Sequence, residues 1–189
     1  MFRKLIEKVA RSLESHKVPY MLIGGQAVLF YGEPRLTKDI DIILGVDTSC
    51  VQTVLSIVSE LGLEVLVNDP VDFVVRTMVL PTLDPVTNLR IDFVFSNSSY
   101  EKEALKRAKA VRFGETSVRI ASLEDLIIHK VIAQRPRDIE DIKGVVLKNK
   151  DFDRRYILRW LKRFDKQLAT NYAQTFSEIE KQIRAQRKR

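Results

Sequence analysis

The stretch "MLIGGQAVLFYGEPRLTKDIDIILG", residues 21–45, constrains the fold more than any other part of the chain. An apolar run of strand character stops at Gly24-Gly25 and gives way to a short apolar segment. A second run then opens with Asp39 and Asp41 alternating with Ile40 and Ile42. Side chains of a strand alternate between faces, so the two aspartates share one face and the isoleucines the other. Carboxylates roughly 6–7 Å apart along a strand repel one another unless a cation lies between them. Glycines at a helix start let backbone N–H groups come close to an anion. Each feature alone has a plain structural account, a tight turn or a wet strand edge. Together they predict a strand–turn–helix–strand unit that gathers anion-binding backbone and cation-binding carboxylates.

Around this unit the spacing predicts helix over 2–16, strand 20–24, helix 25–31 and strand 40–44. A helix over 51–61 follows, with Val51, Leu55, Val58 and Leu61 on one face and Gly62 as its stop. Strands are expected at 63–67, 74–80 and 89–95, the last two joined through the turn residues of "LDPVTN". Next come a helix over 99–109 and short β segments at 110–113 and 116–120. From Ser122 the pattern is helical. Ser122 and Asp125 form a capping signal before "LIIHKVIA", Pro136 opens a further helix, and two more run over 153–168 and 171–187. The expected fold class is therefore α/β (α+β): a mixed β-sheet core flanked by helices, residues 1–120, then a C-terminal helical bundle, residues 121–189.

A third carboxylate bears on the acidic pair. In "NLRIDFVFS" Asp92 stands between Ile91 and Phe93, an apolar setting that is costly for a lone aspartate unless it is paired, hydrogen-bonded or metal-bound. If this strand neighbours 40–44, Asp39, Asp41 and Asp92 form a cluster able to hold two divalent ions. Hard oxygen ligands of this kind suit Mg²⁺, with Mn²⁺ as an alternative. Asp92 is either a third metal ligand or a general base, and both roles stay open at this point.

Charge separates the two halves. Of a net +7, the residues from Arg154 onward contribute eleven Lys and Arg against three acids, leaving the first 153 residues at −1. A basic tail suits a polyanion such as RNA. On this reading residues 170–189 can be removed with the active site intact. One cysteine, Cys50, makes no internal disulfide, and two histidines are too few for an ordinary structural zinc site. The lone cysteine fits a reducing cytoplasm. No apolar run approaches the roughly 20 residues that span a membrane, so no membrane association is expected.

The residues resemble a known family at this point. "IGG", thirteen residues, then "DID", with a later strand aspartate, is similar to the signature of the nucleotidyltransferase superfamily of the DNA polymerase β type. "GEPRLTKDID" and "SLEDLIIHKVIAQRPRDIEDI" resemble its minimal prokaryotic branch, which includes abortive-infection type toxins of toxin–antitoxin systems. The resemblance covers about residues 20–145. It makes 1–120 a nucleotidyltransferase core and 121–189 the region completing the active-site cleft. It implies that Gly24 and Gly25 cradle a triphosphate and that Asp39, Asp41 and Asp92 are catalytic metal ligands. It further implies phosphate contacts from Arg35 and Thr37, a catalytic and nucleotide-binding Lys130, and Asp138 as an acidic partner at the nucleotide. Many members have serine at the position of Gly25, so the grip here relies more on backbone.

The implied activity is Mg²⁺-dependent transfer of a nucleoside monophosphate from an NTP to a hydroxyl acceptor. The acceptor would be an RNA 3′ end, tRNA especially, or a protein or small molecule, with an antitoxin protein as a further partner. The alternative is a catalytically silent nucleotide- or RNA-binding regulator of the same fold. A metal-dependent phosphodiesterase is a third reading, disfavoured by the triphosphate-type glycine turn.

Overall fold

The computed structural model describes residues 2–33, 37 and 39–186, which divide into two units. The first comprises residues 1–26 and 36–121, the second 27–35 and 122–189. Helix α2 (Gly24–Tyr31) contributes its first turn to the one and its remainder to the other.

In the first unit, seven strands among the described residues form one sheet in the order β3-β4-β5-β2-β1-β7-β6. They are β1 (Tyr20–Leu22), β2 (Asp39–Leu44), β3 (Glu64–Val65), β4 (Val79–Asp84), β5 (Leu89–Phe95), β6 (Lys109–Phe113) and β7 (Thr116–Ile120). The sheet is mixed. β2 runs antiparallel to β1 and parallel to β5, while β1 runs parallel to β7. Helices α1 (Phe2–Ser15), α3 (Val51–Glu60), α4 (Pro70–Thr77) and α5 (Ser99–Arg107) belong to the same unit. Its core is aliphatic and aromatic, with Met21, Leu44, Val54, Ile57 and Phe93 sealed from solvent. The anticipated mixed α/β architecture is the one found.

One expected strand is misplaced. Residues 74–80 were to be β, yet 70–77 are helical and the strand begins at Val79. Asp69 caps that helix by accepting from the Asp72 N–H, and Pro70 supplies the preset φ of a first helical position. The apolar Val71, Phe73, Val74 and Val75 mimic a strand in sequence, but only Val74 is buried. Met78 then takes a left-handed conformation that ends the helix and turns the chain into β4.

The second unit packs α6 (Leu123–Ala133), α7 (Pro136–Lys148), α8 (Arg154–Leu168) and α9 (Tyr172–Gln186) around Ile128, Ile142, Ile157, Trp160, Leu161 and Phe176. Ser122 caps α6 and Pro136 opens α7, as their positions in the sequence suggest. Asn149 Nδ2 donates to the Tyr31 carbonyl and Lys148 Nζ to that of Gly32, tying the end of α7 to the end of α2. Removing 170–189 would not be a clean truncation. α9 buries Phe176, Ile179 and Ile183 in this core, so its loss would expose three large apolar side chains.

Candidate active site

The acidic residues meet through strand register. β2 and β5 run parallel and pair Asp39 with Arg90, Ile40 with Ile91, and Asp41 with Asp92. Neighbouring strands lie about 4.8 Å apart, which brings the Asp41 and Asp92 backbones side by side. Ile40, Ile42, Ile91 and Phe93 anchor the opposite face in the core at no more than 1% exposure. The burial alternation leaves Asp39 and Arg90 exposed and Asp41 and Asp92 half-buried.

The glycine turn stands directly against this pair. Gly24 has φ +61°, and a Cβ there would collide with the Asp41 carboxylate. A Cβ at Gly25 would meet the Thr37 side chain, with Thr37 Cβ at 2.9 Å. The Ile23 N–H also donates to the Asp41 carbonyl at 3.0 Å. Glycine at both positions lets the start of α2 come onto β2 without displacing the Asp41 or Thr37 side chain. Thr37 Oγ1 donates to the Asp39 carbonyl at 3.2 Å. Gln26, next in the helix, is buried, and its Nε2 has no hydrogen-bond partner among the described residues. That is a donor in the first turn of α2 with its capacity unmet. Arg35 lies outside the described residues.

Arg90 is the residue that sequence reasoning missed. Its Nε donates to Asp92 Oδ1 at 2.8 Å. That hydrogen bond first, and then the charges of Asp92, Asp39 and Asp41, push the guanidinium pKa above its ordinary value. The signal was in "LRIDF": an arginine two residues before an aspartate in a strand shares its face. Among the described residues no three His, Cys, Asp or Glu side chains converge on a common metal position. Arg90 accounts for part of this, because it draws one Asp92 oxygen to itself. The donor set still fits a divalent ion of the Mg²⁺ class. All of it is hard carboxylate oxygen, and the face already holds a cation in place, the guanidinium.

Lys130 and Asp138 stand in the helical unit and are bound to one another there. Lys130 Nζ donates to Asp138 Oδ1 at 2.6 Å and to Asp141 Oδ2 at 2.8 Å, and all three side chains are buried. Arg135 Nε adds a second cation on Asp138 at 2.6 Å. Burial opposes ionisation of Asp138, but Arg135 and Lys130 outweigh it and hold its carboxyl below the usual range. The lysine is thus buried and paired within the helical unit. It joins α6 to α7.

With this geometry in view, the sequence matches over residues 1–184 the family described as "Nucleotidyltransferase of unknown function (DUF6036)". The chain belongs to this nucleotidyltransferase family. No curated protein sequence matches it. Solved structures share the fold at low identity. The antibiotic-resistance factor ANT(2'')-Ia is 17% identical, with 76% of this chain and 82% of that chain covered and a TM-score of 0.55. The lincosamide antibiotic adenylyltransferase LnuA, lincomycin-bound, is 18% identical over 75% of this chain and 94% of that one, also at 0.55. A nucleotidyltransferase-like protein from Paracoccidioides brasiliensis is 17% identical, over 76% and 74%, at 0.54. Among the described residues no helix is long and apolar enough to cross a membrane.

Proposed function

We propose that this nucleotidyltransferase moves a nucleoside monophosphate from an NTP to a hydroxyl of RNA, in a Mg²⁺-dependent reaction centred on Asp39, Asp41 and Asp92. The observation that carries the reading is the in-register pairing of Asp41 with Asp92 beside a glycine turn that Asp41 itself contacts. Backbone N–H groups at the start of α2, with Gln26, would receive the triphosphate. Thr37 occupies the space that a serine at position 25 would need, and supplies the hydroxyl that Gly25 lacks. Arg35 enters the proposal as a further phosphate contact from the same approach to β2.

The carboxylates would hold Mg²⁺, or Mn²⁺, which when bound lowers the pKa of the acceptor hydroxyl and neutralises charge on the phosphates. The acceptor oxygen attacks the α-phosphorus in line, a new P–O bond forms, and the bond to the bridging oxygen breaks to release pyrophosphate. The acceptor proton passes to Asp92 acting as base, or to solvent where Asp92 serves as a ligand. Arg90 gives up Asp92 and turns to the phosphates. Lys130 and Asp138 contribute through the packing of α6 and α7.

RNA is favoured over a small acceptor by α8. Arg155, Arg159, Lys162 and Lys166 are exposed at helical spacing, forming one basic stripe. Asp165, the acid on this helix, accepts from the N–H groups of Tyr172 and Ala173 and so caps α9. The antibiotic adenylyltransferases of the same fold make a small hydroxyl compound the rival acceptor. An abortive-infection role with an antitoxin partner extends the RNA reading, and growth arrest on induced expression is its check.

The test is a transfer assay with each α-labelled NTP in turn, Mg²⁺, and total tRNA or cell extract. Label on RNA that disappears with Asp41→Ala supports the proposal. Label on a small molecule keeps the enzyme and removes RNA. No label at all, with NTP binding intact, points to a silent regulator. A companion measurement replaces Arg155 and Lys162 by Ala. RNA affinity should fall, and the slope of log K against log salt should shrink by about 1.4, or about 0.7 for each phosphate that is no longer neutralised.

A further inference from the structure

The first unit contains a second concavity, at the end of the strands away from the acidic pair. β1 and β2 pair Leu22 with Ile42 toward the glycine turn and Tyr20 with Leu44 at the other end. Beyond that end lies a cavity of about 520 Å³ between the C-terminus of α1, the start of β1, Gly45, α5 and β7. At about 3.3 Å per residue, Gly45 is roughly 13 Å along β2 from Asp41, so this is a separate site.

Its walls combine two chemistries. Val18, Pro19 and Leu105 line an apolar floor, with Gly45 wedged against Pro19 and Leu105 at virtual Cβ distances of 2.8 and 3.2 Å. Lys17, Lys102, Lys106 and Arg119 surround it, and all four are exposed. Among the described residues none of these four forms an ion pair. The one lining carboxylate, Glu14, shares a hydrogen bond with the buried Tyr20 hydroxyl. Lys17 is held at the rim by the turn that ends α1: its φ is +55°, and the Val18 N–H returns to the Leu13 carbonyl at 2.9 Å. Four cations around one small cavity outnumber the neighbouring carboxylates, Glu14 in the lining and Asp47 near Lys102, and a matching anion relieves the repulsion that remains.

A volume of this size takes a small molecule. A peptide acid brings one charge per side chain. A phosphate group concentrates up to two charges on one centre and suits several ammonium groups at once. The apolar floor calls for a flat or aliphatic body attached to that charge. We infer that this cavity binds a phosphorylated nucleoside, with the base on the apolar floor and the phosphates among Lys17, Lys102, Lys106 and Arg119. The ligand is either a free nucleotide or a nucleotide within an RNA chain, and the inference stands independently of the transfer reaction.

The test is a backbone-amide NMR titration of the labelled full chain in EDTA, with AMP, ATP, pyrophosphate and a 5′-phosphorylated oligoribonucleotide as separate probes. AMP or ATP should shift Lys17, Tyr20, Gly45 and Lys102 saturably. A response to nucleotide identifies the free ligand, and a response to the oligoribonucleotide alone identifies RNA as the source. Lys102→Glu with Lys106→Glu should weaken this binding at least about tenfold, since like charges then face the phosphates. Leu105→Trp, which fills the floor, should abolish it by a separate route. Neither change should alter shifts at Gly24 and Asp41. The inference is overturned if nucleotide and oligoribonucleotide leave the cavity amides unmoved, or if pyrophosphate alone reproduces their shifts. Failure of the transfer reading would show instead as absent label with the cavity shifts intact.

Discussion

Arg90 on β5 faces three carboxylates and is half in solvent, whereas Lys130 on α6 faces two and is only 7% exposed. In the helical unit, Lys130 and Arg135 balance Asp138 and Asp141, with hydrogen bonds at both carboxylates. On the sheet, the Arg90 guanidinium lies near Asp39, Asp41 and Asp92 and hydrogen-bonds Asp92. The first arrangement buries Lys130 with both carboxylates and leaves Arg135 at its exposed edge. The second is half-buried, with Arg90 half in solvent and Asp39 exposed. Similar ingredients are thus buried and paired in one unit and partly open to solvent in the other.

The largest effect that would test this contrast is on rate. Asp41→Ala should lower transfer by about 10³-fold or more, the scale on which lost electrostatic stabilisation of a reacting group slows a reaction. Its unfolding free energy should stay near wild type, because removing one of three like charges relieves repulsion. A variant that is strongly destabilised would show the acidic face to be structural after all.

Lys130→Met should do the reverse. Two buried carboxylates lose their shared amine, a change expected to cost about 3–5 kcal/mol in urea unfolding. Wild-type stability in that variant would place the cluster among groups maintained for ligand contact. Asp138 supplies the matching pH dependence. Its folded pKa is depressed, so its contribution is complete above the ordinary carboxylate value of about 3.9 and is lost as pH falls through the folded value. The urea midpoint should drop below about pH 4, and Asp138→Asn should flatten that decline.

The smallest effect belongs to Arg90→Gln. A half-exposed ion pair contributes under about 1 kcal/mol, so thermal unfolding should barely change. Mn²⁺ binding without nucleotide, followed by calorimetry, should strengthen by up to roughly tenfold once the competing positive charge is gone. Weaker Mn²⁺ binding would mean that Arg90 holds the carboxylates in place for the ion instead of competing with it.

Much of the sheet site could be read from period-two alternation, because Asp41 and Asp92 each sit between core residues and Asp39 lies two residues before Asp41. The register that sets Asp41 beside Asp92 could not, since no local pattern reports which strands become neighbours. Arg90 was visible by the same alternation but was outweighed by the aspartates around it. The helical cluster was harder to see. "DLIIHKVIA" is apolar on nearly every side, which signals burial, yet a lysine within it reads as solvated until the two carboxylates of α7 are known. Helix α4 was hidden because its consecutive valines have strand propensity, while the decisive features were Asp69 and Pro70 at its start.

The contact between Gly24 and Asp41 has a genetic consequence. Any change in the first two bases of a glycine codon installs a side chain or a stop. At residue 24 every such side chain must begin where the Asp41 carboxylate now lies, so one nucleotide change displaces that carboxylate without touching its own codon. In a population under selection against this activity, inactivating alleles should accumulate at codon 24 as readily as at the codons of the aspartates.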